Sequence, residues 1–346
     1  MQDDAAPIRN EERFDEDRVG RYLRSVLPEL ESAPQLEFAQ FQGGHANLTY
    51  VVSSGEVTFV LRRPPLGEVA PHSHDMAREH RVLAALDKSY PLAPRGIHYC
   101  ADPSIMGKPF FVMERRTGTV IRGRWPDSLP DTDVARRRVG ESLIDAVSAL
   151  HEVDYAGLGL ADLGRPDGFA QRQVDGWTER WRRARHDDIP EMERLAASLG
   201  ESTPTPQRVA LIHNDLKLDN TMVGVDGQLV AVFDWDMATI GDPLVDLGTT
   251  LAYWEGPPES AIVVPHDGQV LGGVIGVEEV IARYERTTGL DCSAIDWYRA
   301  LALFRIAVIL QQIYIRYVRG QTTDERFAAL GGVVRPIAAW GLKALA

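Results

Sequence analysis

Cysteine is nearly absent. The two in 346 residues, Cys100 and Cys292, offer neither a disulfide framework nor metal-ligand spacing. A reducing, cytoplasmic compartment is expected. Positive charge is also scarce: 37 Lys and Arg stand against 50 Asp and Glu, a formal charge of −13. Binding a polyanion needs clustered cations, so nucleic acid is not an expected partner. The same balance suits a cationic ligand, and equally an acidic surface with no bearing on ligands. Long uninterrupted apolar runs are missing too. The most apolar late stretch, residues 297–318, is broken by Arg299, Arg305, Gln311, Gln312 and Arg316, which reads as a buried helix and not a membrane span. The acidic opening MQDDAAPIRNEERFDED lacks the apolar run of a signal peptide. No repeat or low-complexity tract occurs, and the length accommodates two domains.

What is present concentrates in residues 211–246, LIHNDLKLDNTMVGVDGQLVAVFDWDMATIGDPLVD. An apolar strand end delivers His213, Asn214 and Asp215 into a polar loop, and Asn220 follows five residues after Asp215. A hairpin turning at Asp226-Gly227 returns through a β-branched strand, 229–233, that ends on Asp234, Trp235 and Asp236. A carboxylate, a carboxamide and a second carboxylate thus stand at the exits of short strands. That set suits phosphoryl transfer, in which the protein mainly positions reactants and neutralises phosphate charge. Asp215 would accept the proton of an acceptor hydroxyl, while Asn220 and Asp234 would offer hard oxygens to Mg²⁺.

The spacing H-x-D-x-x-x-x-N, followed by a strand and Asp, matches a kinase catalytic loop and its metal-binding Asp. Residues 213–246 resemble the aminoglycoside phosphotransferase family of the protein-kinase-like superfamily. The tail DWDMATIGDPLVDLG resembles the branch whose members also occur fused to acyl-CoA dehydrogenases. The resemblance covers nearly the whole chain from Phe38 onward. It implies an α+β, two-lobed protein-kinase-like fold, with a small antiparallel-sheet lobe over 1–113, a hinge at 114–117 and a mainly helical lobe over 118–346. ATP and Mg²⁺ are the implied cofactors, and a small-molecule hydroxyl the implied acceptor. Asn214 stands where the family has glycine; asparagine tolerates the same backbone region. Asp246 is expected to brace the loop by accepting backbone N–H bonds.

Along the rest of the chain, a disordered start precedes a helix at 15–27. A meander follows with strands at 36–41, 48–52 and 57–62. Gly43, Gly44, His45 and Asn47 fall where a kinase covers the phosphates, although two adjacent glycines alone are often only a hairpin turn. Arg62 falls at the place of the usual phosphate-binding lysine, and alternation puts Arg63 on the opposite face as a mild control. Arginine is a planar fork and lysine a point charge, so this departure is not neutral. Glu79, on a helix at 75–86 with Leu83 and Leu86, faces inward and would pair with Arg62. The hinge, by resemblance, includes Glu114 and Arg115.

In the helical part, 131–151 forms a helix with Val134, Val139, Leu143, Val147 and Leu150 buried and His151 in the core. A helix at 169–186 carries Trp177 and Trp181 among arginines. By default this is a solvated face, and otherwise a platform for a flat or anionic acceptor group. Helices follow at 277–287, 297–319 and 323–344. His213 would orient the loop, Lys217 could reach the γ-phosphate, and Asp236 would position metal-bound water or touch the acceptor. The expected function is ATP-dependent phosphorylation of a small-molecule hydroxyl, of hydroxy-acid or hydroxyacyl type. The alternatives are an aminoglycoside kinase and a silent nucleotide-binding scaffold. No membrane partner is expected, and oligomeric state is not legible.

Overall fold

A computed structural model describes residues 5–41, 47–67, 74–261, 263–322 and 324–346. The glycine turn with Gly43, Gly44 and His45 lies outside them. The chain divides into two compact units: Met1–Thr117 with Phe233–Ala238, and Gly118–Val232 with Thr239–Ala346.

The first unit contains β1 (Ala5–Ala6), α1 (Glu16–Val26), β2 (Glu37–Phe41), β3 (Leu48–Ser54), β4 (Val57–Arg63), α2 (Met76–Leu86), β5 (Gly96–Cys100), α3 (Pro103–Met106) and β6 (Phe110–Glu114). Its antiparallel sheet runs β1-β2-β3-β4-β6-β5. Period-two alternation sorts the side chains. Register pairs Tyr50 with Leu61, and Val52 with Phe59. These four share an apolar core with Val19 and Leu23 of α1. Each such side chain contributes roughly 1.5–3 kcal/mol by leaving water. Val51, Val60 and Arg62 take the opposite face by the same alternation.

Two expectations are corrected in this unit. The start of the chain is not disordered from Ala5 onward. Ala5 and Ala6 pair with Phe41 and Gln40, the Arg9 N–H donates to Gln40 Oε1 (3.0 Å), and Ile8 is buried. These partners lie more than thirty residues away, and local composition carries no trace of them. Arg63 is no mild control either. It is 1% exposed and donates to the Met106 carbonyl (2.6 Å), the Glu12 carbonyl (2.6 Å) and the Tyr50 hydroxyl (2.7 Å), with its guanidinium over the Phe14 and Tyr50 rings. Arg63→Ala is therefore expected to destabilise the protein by about 2–3 kcal/mol, since hydrogen bonds to a charged buried group are lost. Chemical denaturation measures it, and an unchanged midpoint would contradict the assignment.

The second unit contains α4 (Asp133–His151), α5 (Phe169–Ala184), α6 (Pro190–Glu201), β7 (Ala210–Ile212), β8 (Thr221–Val223), β9 (Leu229–Val232), β10 (Thr239–Gly241), α7 (Pro243–Trp254), α8 (Asp267–Val270), α9 (Val277–Thr288), α10 (Ile295–Val318) and α11 (Gly331–Ala344). Strands pair as β7 with β10 and β8 with β9. α10 packs against α5, α6, α7 and α11. By length and composition it could cross a membrane, but most of that stretch is covered within this unit.

Several local readings differ here. Val134 is 71% exposed, because it sits in the first turn of α4 before the helix is covered. α6 was not anticipated. The last stretch is a 3₁₀ turn (Glu325–Leu330) and then α11, with Gly331 against the Tyr314 ring, where a Cβ would approach to 2.7 Å.

Candidate active site

β7 is fully buried and ends on His213, so the polar loop begins where the apolar strand stops. Asn214 adopts φ +70°, the left-handed region that asparagine tolerates. A carboxylate from α7 fixes this start. Asp246 Oδ2 accepts from the His213 N–H (2.6 Å), and Oδ1 accepts from the Asn214 N–H (2.5 Å). Its Oδ2 also meets His151 Nε2 at 3.3 Å, and His151 Nδ1 meets the Tyr284 hydroxyl at 2.7 Å. Burial alone would push the Asp246 carboxyl up. The hydrogen bond and charge of His151, with the His213 contacts, outweigh it and hold the group below its ordinary value.

The rest of the loop is pinned as well. The Asp215 N–H donates to His213 Nδ1 (3.3 Å), the Thr250 hydroxyl to the Leu216 carbonyl (2.9 Å), and the Leu218 N–H to Asp267 Oδ2 (3.0 Å). The backbone is thus held while the Asp215 side chain stays 26% exposed. Lys217 Nζ lies 3.4 Å from Asp215 Oδ2 and 4.3 Å from the centre of the Tyr253 ring. Burial would lower the Lys217 ammonium. Tyr253, Asp215 and Asp219 outweigh that, so it remains a cation. Asn220 Nδ2 donates to the Asp215 carbonyl (2.7 Å) and to Asp215 Oδ2 (2.9 Å), which turns Oδ1 away from that carboxylate.

The first unit holds the other predicted residues. Arg62 Nε lies 3.1 Å from Glu79 Oε2, and Nη2 donates to Asp234 Oδ1. Arg62 is 9% exposed and Glu79 1%. Two acids share one guanidinium, and burial pushes the Glu79 carboxyl up to about 7, with Arg62 opposing. Glu79 takes this place because Asp75 caps α2 at the Arg78 N–H, setting Glu79 in the first turn. Asp234 has φ +66° and opens a 3₁₀ turn, Trp235–Met237, whose Trp235 is buried against Tyr90. Asp236 lies in that turn, and its charge acts on Arg62 and Glu79.

Asn47 is 6% exposed. Its Oδ1 meets His74 Nδ1 (2.8 Å), while Nδ2 is buried without a hydrogen-bond partner among the described residues. Glu114 spends its carboxylate on the Arg95 N–H (3.1 Å) and on Arg116 (3.1 Å), and its own N–H donates to the Arg95 carbonyl (2.9 Å). Arg115 is half-buried beside it.

A cavity of about 200 Å³ lies in the second unit. One side carries Lys217, Asp219, Tyr253 and Asp267. The other is aliphatic, from Val263, Val264 and Pro265 and from Ile306, Ile309 and Leu310 of α10. Burial pushes Asp267 up to about 7, against the Leu218 hydrogen bond. The sequence reading missed Tyr253, Asp267 and this face of α10, which lie 36 to 93 positions from Lys217 with no shared motif. The tryptophan platform is corrected: Trp181 is 0% exposed and donates to Glu193 Oε1 (2.9 Å) as a core residue. Trp177, also buried, lies under Arg180 and Arg305.

Each of the two predicted metal residues, Asn220 in the second unit and Asp234 in the first, offers a hard oxygen of the kind Mg²⁺ takes. That ion commonly binds one or two carboxylates and completes its shell with substrate phosphates and water. Asn220 presents Oδ1, and the Asp234 side chain keeps 32% of its surface open.

Acyl-CoA dehydrogenase family member 11 of Gallus gallus is 33% identical over 97% of this chain and 44% of its own length. The chain spans less than half the length of the curated relatives it matches. A Ralstonia eutropha structure, provisionally assigned as an aminoglycoside phosphotransferase, superposes with a TM-score of 0.81 at 29% identity, over 96% of this chain and 98% of that one. An aminoglycoside phosphotransferase solved with AMP-PNP and hygromycin B shares the fold, with a TM-score of 0.59 at 16% identity over 91% and 98% of the two chains. The kinase-like α+β fold is therefore established, and the phosphotransferase enzyme family model matches residues 37–288. The chain belongs to the phosphotransferase enzyme family.

Proposed function

We propose that this chain transfers the γ-phosphoryl group of ATP to a hydroxyl of a small molecule with an aliphatic segment, of hydroxy-acid or hydroxyacyl type. The acceptor oxygen bonds to the γ-phosphorus as the bond to the bridging oxygen breaks. ADP leaves, and Asp215 takes the hydroxyl proton. Lys217 lies beside Asp215 as a cation for the transferring group. Arg62 carries the charge for the inner phosphates, held by Glu79. The buried Nδ2 of Asn47 is a donor without a partner among the described residues and suits a phosphate oxygen. Asn220 and Asp234 would hold Mg²⁺, which when bound neutralises charge on the phosphates. Residues 114–117 are the segment we assign to the nucleotide base. Both cysteines are free and buried, in keeping with a reducing, cytoplasmic setting.

The cavity carries the acceptor assignment. Its aliphatic wall beside Lys217 suits an apolar segment. A polycationic aminosugar would find Asp219 and Asp267 on the polar side, but its further ammonium groups would lie against valine, isoleucine and leucine, at a desolvation cost. An ATP-consumption screen over hydroxylated acids, their acyl thioesters and aminoglycosides tests the reading. Turnover with the first two classes is expected. Turnover confined to aminoglycosides would replace it.

The phosphate clamp has its own test. Arg62→Ala is expected to weaken Mg·ATP binding roughly tenfold or more, since a charged hydrogen bond is worth about 1.5–3 kcal/mol. Calorimetry on the folded variant measures this, and unchanged affinity would remove Arg62 from the nucleotide site.

A further inference from the structure

α10 buries a cation that the proposed chemistry does not use. Arg305 is 4% exposed and, among the described residues, forms no ion pair with a carboxylate. Its hydrogen bonds go to neutral groups. Nη2 donates to the Asn214 carbonyl (3.1 Å), and Nη1 to Asn214 Oδ1 (3.4 Å) and the Thr249 hydroxyl (3.5 Å). Burial lowers the guanidinium, and the charges of Asp215 and Asp246 oppose this only from beyond ion-pair contact, so an apolar side chain of similar volume would serve packing better.

We infer that Arg305 is a positioning residue that aims Asp215. The carbonyl of Asn214 and the N–H of Asp215 belong to one planar peptide unit. Arg305 holds the carbonyl end, and His213 Nδ1 holds the N–H end (3.3 Å). With both ends tied, rotation of that plane is blocked, and so is the swing it would give the Asp215 Cα–Cβ bond. Asn214 needs such a hold because its positive φ is sparsely populated for a non-glycine. Arginine supplies two separated donors that span a carbonyl and a side-chain amide; lysine supplies a single point.

The inference rests on Asp215 being the proton acceptor, so its test has a readout that needs no acceptor. Arg305→Lys and Arg305→Met would be studied by hydrogen exchange of the 211–218 segment, by Mg·ATP affinity and, with an acceptor, by kcat and KM. Faster exchange at Asp215 and Leu216 is expected in both, with Mg·ATP affinity kept. A kcat lower by about 10²-fold is expected in both, as for a misaimed catalytic group. Unchanged loop exchange, or unchanged kcat, would overturn the inference. So would a loss of activity that merely tracks the folded fraction. If Arg305→Met fails to fold, Arg305→Lys decides, because it keeps the charge and loses the two-pronged hold. Should the wild-type protein phosphorylate no acceptor, the functional reading fails while loop exchange still decides the role of Arg305.

Discussion

Asp215→Asn is expected to bind Mg·ATP as the wild type does while turnover falls about 10²–10⁴-fold, the usual contribution of a general base. The variant keeps the shape of the side chain, and its amide oxygen can still accept from Asn220 Nδ2. It loses the charge that faces Lys217 and the capacity to take a proton. A loose transition state asks chiefly for alignment and late proton acceptance, so the loss belongs in kcat and not in nucleotide binding. Steady-state kinetics on an acceptor from the screen, with calorimetry for Mg·ATP, would measure both. Turnover within a few-fold of wild type would move the base elsewhere, with Asp236 the next carboxylate to test.

Asp246→Asn is expected to be the most destabilising of these changes, by about 3–5 kcal/mol at neutral pH, as when one partner of a buried charged network is removed. Its carboxylate accepts two backbone N–H bonds and meets His151, all within the core. An amide presents one oxygen for those two donors, so one N–H would face another N–H. The pH dependence has a definite sign. The folded carboxyl lies below its ordinary value of 3.8, so its contribution is complete above that value and is lost as pH falls through the folded one. The gap between wild type and Asp246→Asn in urea denaturation is therefore expected to be constant near neutrality and to shrink below about pH 4. A gap that widens in acid would contradict the assignment.

Much of the candidate site was legible because it is local. The five-residue step from Asp215 to Asn220, the β-turn after it and the strand ending near Asp234 are short-range patterns that periodicity and turn chemistry encode. Glu79 was legible because helical spacing put it on the apolar face of α2. Where adjacent residues compete, the same reasoning loses its footing. Alternation assigned Arg62 and Arg63 to opposite faces, yet could not say that both faces are buried. Arg63 met its partners at Glu12, Tyr50 and Met106 only through tertiary contact.

The sequence by itself determined the order of helices and strands over most of the chain and the spacing of Asp215, Asn220 and Asp234 along the candidate loop and hairpin, because each depends on near neighbours in the chain. Tertiary structure alone decided that β1 joins the sheet, that Trp181 belongs to the core, and that Lys217 shares a cavity with three aliphatic residues of α10. It also decided that Arg305 reaches back 91 positions to Asn214. Contacts over such distances are set by how whole elements pack, and no local pattern of residues records them.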